Sequence, residues 1–352
     1  MLQPVRILPY SLSKSKPIGV VVAISGFNYP LLLAMHKIAP ALAAGCPVIC
    51  KPAPQAPLAA IWLVELFREV LTEYAVTACA VQLVTGDATV GHVLVSDPRI
   101  GVVSFTGSSA VGHLIAKQAA PRKVLLELGS NAALIVAPDA DLDLAVSAVL
   151  RGGYYASGQA CISVQRVILH ADIRDAFVAA LLARMSEVTV GDPRLEQTRV
   201  SALIDDASTD RVMAWIAHAV ADGAIVLHGG SLEAGILVPT VLDELAEDAI
   251  IWHEEVFGPV ICLRTVASMD AAFAEANDSR FGLHASVYTR SLNTAMRALD
   301  ELEVGGVVVN EIPGFRADAM PYGGVKDSGI GREGPRFAVE EYTVTRMAII
   351  RP

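Results

Sequence analysis

Ile18-Gly-Val-Val-Val-Ala-Ile-Ser25, then Pro30-Leu-Leu-Leu-Ala-Met-His-Lys-Ile-Ala-Pro-Ala-Leu-Ala-Ala44-Gly45, then Val48-Ile-Cys-Lys51: the fold turns on this stretch. The first segment is solidly apolar and reads as a buried strand. The second opens on proline and closes on glycine, the usual asymmetry of a helix. The third is a short strand. Strand, helix and strand in that order, with apolar strands, describe a parallel sheet covered on both faces. The alternation continues outward. A long amphipathic helix spans 56–74, a strand 81–84, a helix ends near Leu94, and a strand spans 102–105 before a helix over 109–120. After Gly129 the pattern restarts. Strands are predicted at 132–136, 166–170, 224–227, 260–265 and 285–289, and helices at 142–155, 175–185, 210–222, 269–276 and 294–302. Glycines crowd 321–334, which predicts a loop with several positive-φ positions. Residues 1–16 are polar and extended, and 342–350 form a last strand.

A chain of 352 residues buries a large core and is expected to form two domains. Hydrophobic residues make up 53% and charged residues 18%, which excludes a disordered or collagenous chain. The net charge of −10, with no basic cluster, excludes a nucleic-acid binder. The cysteines stand singly at 46, 50, 79, 161 and 262, without zinc-type pairs, so reduced thiols in a cytoplasm and no metal are expected. The apolar run from Ile18 to Cys50 is interrupted by Asn28, Pro30, His36 and Lys37, which argues against a signal core or membrane span. The run from Val124 to Leu150 is broken by Glu127, Asp139, Asp141 and Asp143.

Five segments could carry chemistry. In Tyr154-Tyr-Ala-Ser-Gly-Gln-Ala-Cys161-Ile-Ser-Val-Gln-Arg166, small residues let the backbone and a substrate approach a thiol; taken alone, Cys161 reads as a structural thiol. In Phe27-Asn28-Tyr29-Pro30, Asn28 reads as a turn or capping residue at a helix entry. In Leu126-Glu127-Leu128-Gly129, Glu127 ends an apolar strand, where a carboxylate is costly to bury, and a structural ion pair is the plain alternative. Glu254-Glu255-Val256-Phe257-Gly258-Pro259 reads as a solvated turn. Phe105-Thr-Gly107-Ser108-Ser-Ala-Val-Gly112 joins a strand to a helix, with glycine and hydroxyl residues that suit a pyrophosphate, although many such turns share this composition. Lys51 alone reads as a solvated lysine.

The four segments around Asn28, Glu127, Cys161 and Glu255, in that order and spacing, resemble the aldehyde dehydrogenase superfamily from about Pro17 to the C-terminus. The resemblance implies an α/β protein. It would have a Rossmann-like parallel-sheet cofactor domain (17–128), a second α/β catalytic domain (129–335), and a small β oligomerisation arm built from 1–16 and 336–352. It implies oxidation of a small aldehyde with NAD or NADP, in a homodimer or homotetramer. Cys161 would be the nucleophile. Asn28, with the backbone N–H of Cys161, would face the oxyanion. Glu127, its pKa raised by burial, would activate water. Lys51 would bind the adenosine ribose, Gly107 and Ser108 the pyrophosphate, Glu255 the nicotinamide ribose, and Phe257 would pack by the ring. The other four cysteines would be packing residues.

Two departures from the family pattern bear on function. Pro54 stands where many NAD-dependent relatives carry a glutamate, so a 2′-phosphate meets no repulsion and NADP use is expected to be open. The chain also begins late relative to the family, so a shortened form is expected. Alternatives are a CoA-acylating relative, a branch that generally lacks the glutamate at 127, and a truncated, catalytically silent homologue. Arg166 and Arg316 are candidates to meet an anionic tail, with structural ion pairing the plainer reading of each. The segments 161–166 and 320–334 resemble those of relatives acting on small, often polar or acidic aldehydes, with succinate semialdehyde, lactaldehyde and glyceraldehyde types as candidates.

Overall fold

The computed structural model describes residues 11–349. They divide into two compact units, one holding residues 11–106, 113–125 and 331–349, the other 107–112 and 126–330. The protein is α/β with parallel-strand sheets. No helix among the described residues is long and apolar enough to cross a membrane.

The first unit begins with β1 (Ser11–Pro17), β2 (Val20–Ile24), α1 (Pro30–Ala43), β3 (Val48–Lys51), α2 (Pro57–Glu73), β4 (Val81–Leu83), α3 (Ala88–Ser96) and β5 (Ile100–Thr106). Helix α4 (Ser109–Ala119) and strand β6 (Lys123–Glu127) follow. These elements match the periodicity closely, because each apolar run is long enough to fill one buried strand or one helix face. In the sheet, β2 lies between β3 and β5 and pairs parallel with both, and β4 adds parallel to β3. Val21 and Ala23 of β2 pack with Val48 and Cys50 of β3, Ile38 and Ala41 of α1, and Leu63 and Val64 of α2. Burial of each Val, Ile and Leu side chain among these contributes roughly 1.5–3 kcal/mol. The winding reverses between β2 and β5. In open α/β sheets, ligands bind outside the carboxyl ends of the strands at such a point. Ser25 and Thr106 sit there, just past β2 and at the end of β5.

The second unit contains β7 (Ala132–Val136), α5 (Leu142–Tyr154), β8 (Val164–His170), α6 (Arg174–Arg184), α7 (Asp206–Ala221), β9 (Ile225–His228), a small hairpin of β10 (Leu232–Glu233) and β11 (Ile236–Leu237), and β12 (Thr240–Asp243). It continues with α8 (Ile250–His253), β13 (Val260–Val266), α9 (Met269–Asn277), β14 (Phe281–Gly282), β15 (His284–Tyr288), α10 (Leu292–Glu301), β16 (Gly306–Val309), β17 (Val325–Lys326) and β18 (Gly329–Ile330). Its main sheet has the order β16-β15-β7-β8-β13-β12-β9, parallel except for β9. Alternate residues serve opposite faces. Ala133, Ile135, Ile168, Cys262 and Val287 pack against α7, α9 and α10, and Leu134, Val136, Val167, Leu169 and Ile261 against α5 and α6.

Several expectations need correction. The helix predicted from 210 begins at Asp206, because the Asp205 side chain accepts the Ser208 N–H at 2.8 Å and caps it. Strands β12 and β16 were not anticipated. The sheets are not wholly parallel, since β9 runs antiparallel at one edge and β18 pairs antiparallel with the end of β6. The glycine-rich segment contains two short strands as well as positive-φ glycines, Gly331 and Gly334 among them.

Helix α11 (Pro335–Glu341) and strand β19 (Thr343–Ile349) complete the first unit. β19 pairs antiparallel with β1 from Pro17↔Thr343 to Ser11↔Ile349, as a ribbon joined to no other strand among the described residues. Of the extended arm expected over 1–16, residues 1–10 lie outside the described residues, as does Ile350.

Candidate active site

In the second unit the chemistry gathers at the amino edge of the main sheet. Strands β7 and β8 start level, Ala132 opposite Val164. The residues just ahead of them, Ser130 and Asn131 and Cys161 to Ser163, therefore arrive at the same edge, with Glu127 at the end of β6 a short way upstream. Strand β13 starts at Val260, which brings in Glu255 and Phe257, and β15 starts at His284. The last residue of β6, Glu127, is opposite Gly329, and its carbonyl accepts the Gly107 N–H at 3.0 Å. Its side chain is in the interior, the residue being 3% exposed.

The loop carrying Cys161 runs through Ala156, Ser157 and Gly158 at φ of 49°, 57° and 71°. Three successive left-handed residues are costly, and side chains hold them in place. Ser157 Oγ accepts the Ser201 N–H and Gln159 Oε1 the Ile204 N–H, each at 2.9 Å. Gly158 is required, since an added methyl would collide with the Gly258 carbonyl. The half-buried Cys161 has its Sγ 3.3 Å from the Tyr322 hydroxyl.

Glu254 and Glu255 face opposite ways. Glu254 pairs with Arg280 at 2.6 Å. Glu255 turns inward, and its Oε1 accepts the Ser130 N–H at 2.9 Å. Burial pushes the Glu255 carboxyl up to about 7, with the Ser130 amide opposing. The residue as a whole is only half-buried; the carboxyl is its deep end. Gln165 brackets this segment, donating to the Glu254 carbonyl at 2.6 Å and accepting the Val256 N–H at 2.9 Å. Asn131 donates to the carbonyls of Trp252 and His253, both at 3.0 Å. Phe257 follows at φ 49°. Exposed Ser108 precedes α4, and its carbonyl accepts the Gly112 N–H at 3.0 Å.

Asn28, Lys51 and Pro54 belong to the first unit. Asn28 precedes Tyr29, which holds the N-cap position of α1 without a side-chain cap. Lys51 is not a solvated surface lysine. It ends β3, is 5% exposed, and burial lowers its pKa against the opposing charge of Asp87. Asp87 is itself engaged as the cap of α3. Pro54 is exposed in the turn before α2. A dinucleotide fits this edge on one further count: the Ser25 and Thr106 hydroxyls at the switch point are buried without a hydrogen-bond partner among the described residues.

Arg166 does not reach a substrate. It is 3% exposed, donates to the carbonyls of Asn131, Glu275 and Ala276, and is a buried structural group held by backbone rather than by an ion pair. Arg316 lies over the Tyr322 ring, 4.1 Å from its centroid. Cys46, Cys50 and Cys262 are buried as expected, but Cys79 is exposed and is no packing residue. Among the described residues no group of three or more His, Cys, Asp or Glu is placed to hold a metal. Tyr322, His284, Gln165 and Asn131 were not singled out from the sequence. Only Tyr322 carried a local signal, its place in the glycine-rich Met320-Pro-Tyr-Gly-Gly segment.

The model described as Aldehyde dehydrogenase family matches residues 8–348. The chain is 42% identical over 335 residues to a 3-sulfolactaldehyde dehydrogenase of Priestia aryabhattai, across 95% of this chain and 69% of that protein. It is 38% identical over 340 residues to a lactaldehyde dehydrogenase of Methanococcus aeolicus, across 96% and 73%. Among solved structures it matches glyceraldehyde-3-phosphate dehydrogenase from Methanocaldococcus jannaschii complexed with NADP. The TM-score is 0.93 and the identity 37%, over 97% of this chain and 74% of that one.

Proposed function

Since the chain belongs to the aldehyde dehydrogenase family, we propose that it oxidises a small hydroxyaldehyde or semialdehyde to the carboxylic acid with NAD or NADP. What carries this reading is Cys161, held with its Sγ 3.3 Å from the Tyr322 hydroxyl ahead of β8, together with the buried carboxylate of Glu127 at the end of β6. In this reading the Cys161 thiolate adds to the aldehyde carbon, leaving an oxyanion for which Asn28 keeps its expected role as a donor. The nicotinamide, when bound, supplies the hydride acceptor. Cys161 is left carrying the acyl group as a thioester. Glu127 then takes a proton from water, whose oxygen attacks the thioester carbon, releasing the acid and the thiolate.

For the cofactor we assign Lys51 to the adenosine ribose, beside Pro54, and Gly107 and Ser108 to the pyrophosphate at the start of α4. Glu255 is assigned to the nicotinamide ribose and Phe257 to the ring. The buried Lys51 and the inward Glu255 support this over their plain readings as surface charges. Pro54 offers no carboxylate against a 2′-phosphate, so cofactor choice is expected to be loose. The relatives named for sulfolactaldehyde and lactaldehyde support a small polar substrate. Arg316, stacked on Tyr322, supports an acidic tail on it.

The test is a panel of lactaldehyde, glyceraldehyde, succinate semialdehyde and apolar aldehydes with each cofactor, followed by the absorbance of reduced nicotinamide. Small polar aldehydes should turn over with both cofactors. An NAD+ preference in kcat/KM above about a thousandfold, roughly 4 kcal/mol, contradicts loose choice. No reduction with any aldehyde removes the oxidation, and turnover that requires CoA moves the protein to the acylating branch.

We also propose a homo-oligomer assembled through the β1–β19 ribbon. A lone two-stranded ribbon is marginal in water, and this one exposes Leu12, Val344, Met347 and Ile349. Light scattering at micromolar protein should give a dimer or tetramer; a clean monomer contradicts it.

A further inference from the structure

Tyr322 is fixed on every side that the structure describes. Its ring is 5% exposed and meets His284 edge-on, with centroids 5.1 Å apart at 67°. His284 is itself held in place by its neighbours. Its Nδ1 lies 2.8 Å from the Pro313 carbonyl, which can only accept, so Nδ1 carries the proton. Gly306 lies against the imidazole, leaving no room for a side chain there. The Arg316 guanidinium covers the Tyr322 ring at 4.1 Å. This frame aims the hydroxyl at Cys161 Sγ, 3.3 Å away.

A thiol and a phenol can each donate to the other. A thiolate can only accept. Burial, and then the charges of Cys161 and Glu127, keep the phenol protonated well above its ordinary range, with Arg316 opposing. We propose that Tyr322 is a positioning residue that donates its O–H to the Cys161 thiolate, holding the sulfur ionised and aimed in the resting enzyme. The proton lost from sulfur goes to solvent. The inference rests on the reading of Cys161 as nucleophile and adds a residue to it. Besides Cys161, the charged groups acting on this phenol are Glu127, which raises it, and Arg316, which lowers it, while the His284 ring meets it edge-on. All three stay when only the hydroxyl is removed.

The hydrogen bond has two opposed effects. A charge-assisted bond of ordinary strength lowers the thiol pKa by about one unit, giving about tenfold more thiolate at low pH. A thiolate so stabilised is also a poorer nucleophile, by about threefold per unit, since the Brønsted coefficient for thiolates is about 0.4–0.5. Tyr322→Phe should therefore react more slowly than the parent below the thiol pKa and faster above it, so that the two pH profiles cross.

The experiment is alkylation of Cys161 by iodoacetamide between about pH 5 and pH 10, in the full chain, read by peptide mass spectrometry with and without aldehyde. The expected result for Tyr322→Phe is a midpoint about one unit higher and a plateau rate about threefold higher. A fluorinated tyrosine at 322, a stronger donor, should move the midpoint down, and it serves if Tyr322→Phe does not fold. Superimposed profiles, or shifts opposite to these, overturn the proposal. A purely structural Tyr322 changes rates without moving the midpoint. Loss of aldehyde protection at Cys161 in the parent protein would instead sink the nucleophile assignment, whatever the midpoints do.

Discussion

Glu127→Gln is expected to convert a steady turnover into a single burst. Acyl transfer to Cys161 and loss of hydride need the sulfur, whereas release of the acid needs an activated water. Glu127 is 3% exposed, at the end of β6 and opposite Gly329. In the proposed reaction this carboxylate takes the proton from the attacking water. Removing a general base typically slows its step by about 10²–10⁴-fold. Mixed with aldehyde and oxidised cofactor, the variant should release about one reduced cofactor per site and nearly stop. An acyl group should then appear on Cys161 in the intact-mass spectrum. A Glu127 that also deprotonates the thiol would slow the burst itself, so the burst rate is to be followed across pH. Unchanged steady-state turnover removes the assignment of Glu127 as base, and turnover restored by CoA reassigns the branch.

Cys161→Ala should have the larger effect, of the order of 10⁶-fold in kcat, the scale on which an enzymic nucleophile is missed. The side chain is half-buried and small, so the fold should persist, as circular dichroism and the unfolding midpoint would report. Alkylation mapped by mass spectrometry supplies the complementary test. Burial pushes the Cys50 thiol up to about 11 and the Cys262 thiol up to about 12, so both should resist reagent at neutral pH. Cys79 is exposed and should be alkylated whether or not aldehyde is present. Cys161 alone should be shielded by aldehyde. Protection at another cysteine, or full activity in Cys161→Ala, refutes the assignment.

The sequence by itself determined the alternation of strand and helix and the parallel character of most strands. Runs such as Val20–Ile24 and Ala132–Val136 are apolar on both alternating faces and can be satisfied only between two layers of helices. It also determined the chemical types present, one thiol after small residues and one carboxylate at the end of an apolar strand. The tertiary structure decided which side chains face one another. Glu254 and Glu255 are neighbours of one type, and nothing local tells which meets Arg280 and which turns to the Ser130 amide. For Arg166 the sequence favoured a structural ion pair over a substrate cation, and only the fold shows that three backbone carbonyls hold it. Tyr322 lies 161 residues from the thiol it touches. These pairings follow from the level starts of β7 and β8, with β13 and β15 alongside, which bring loops from distant parts of the chain to one edge. Register between distant strands is set by the packing of the whole sheet against its helices, so no window of sequence contains it.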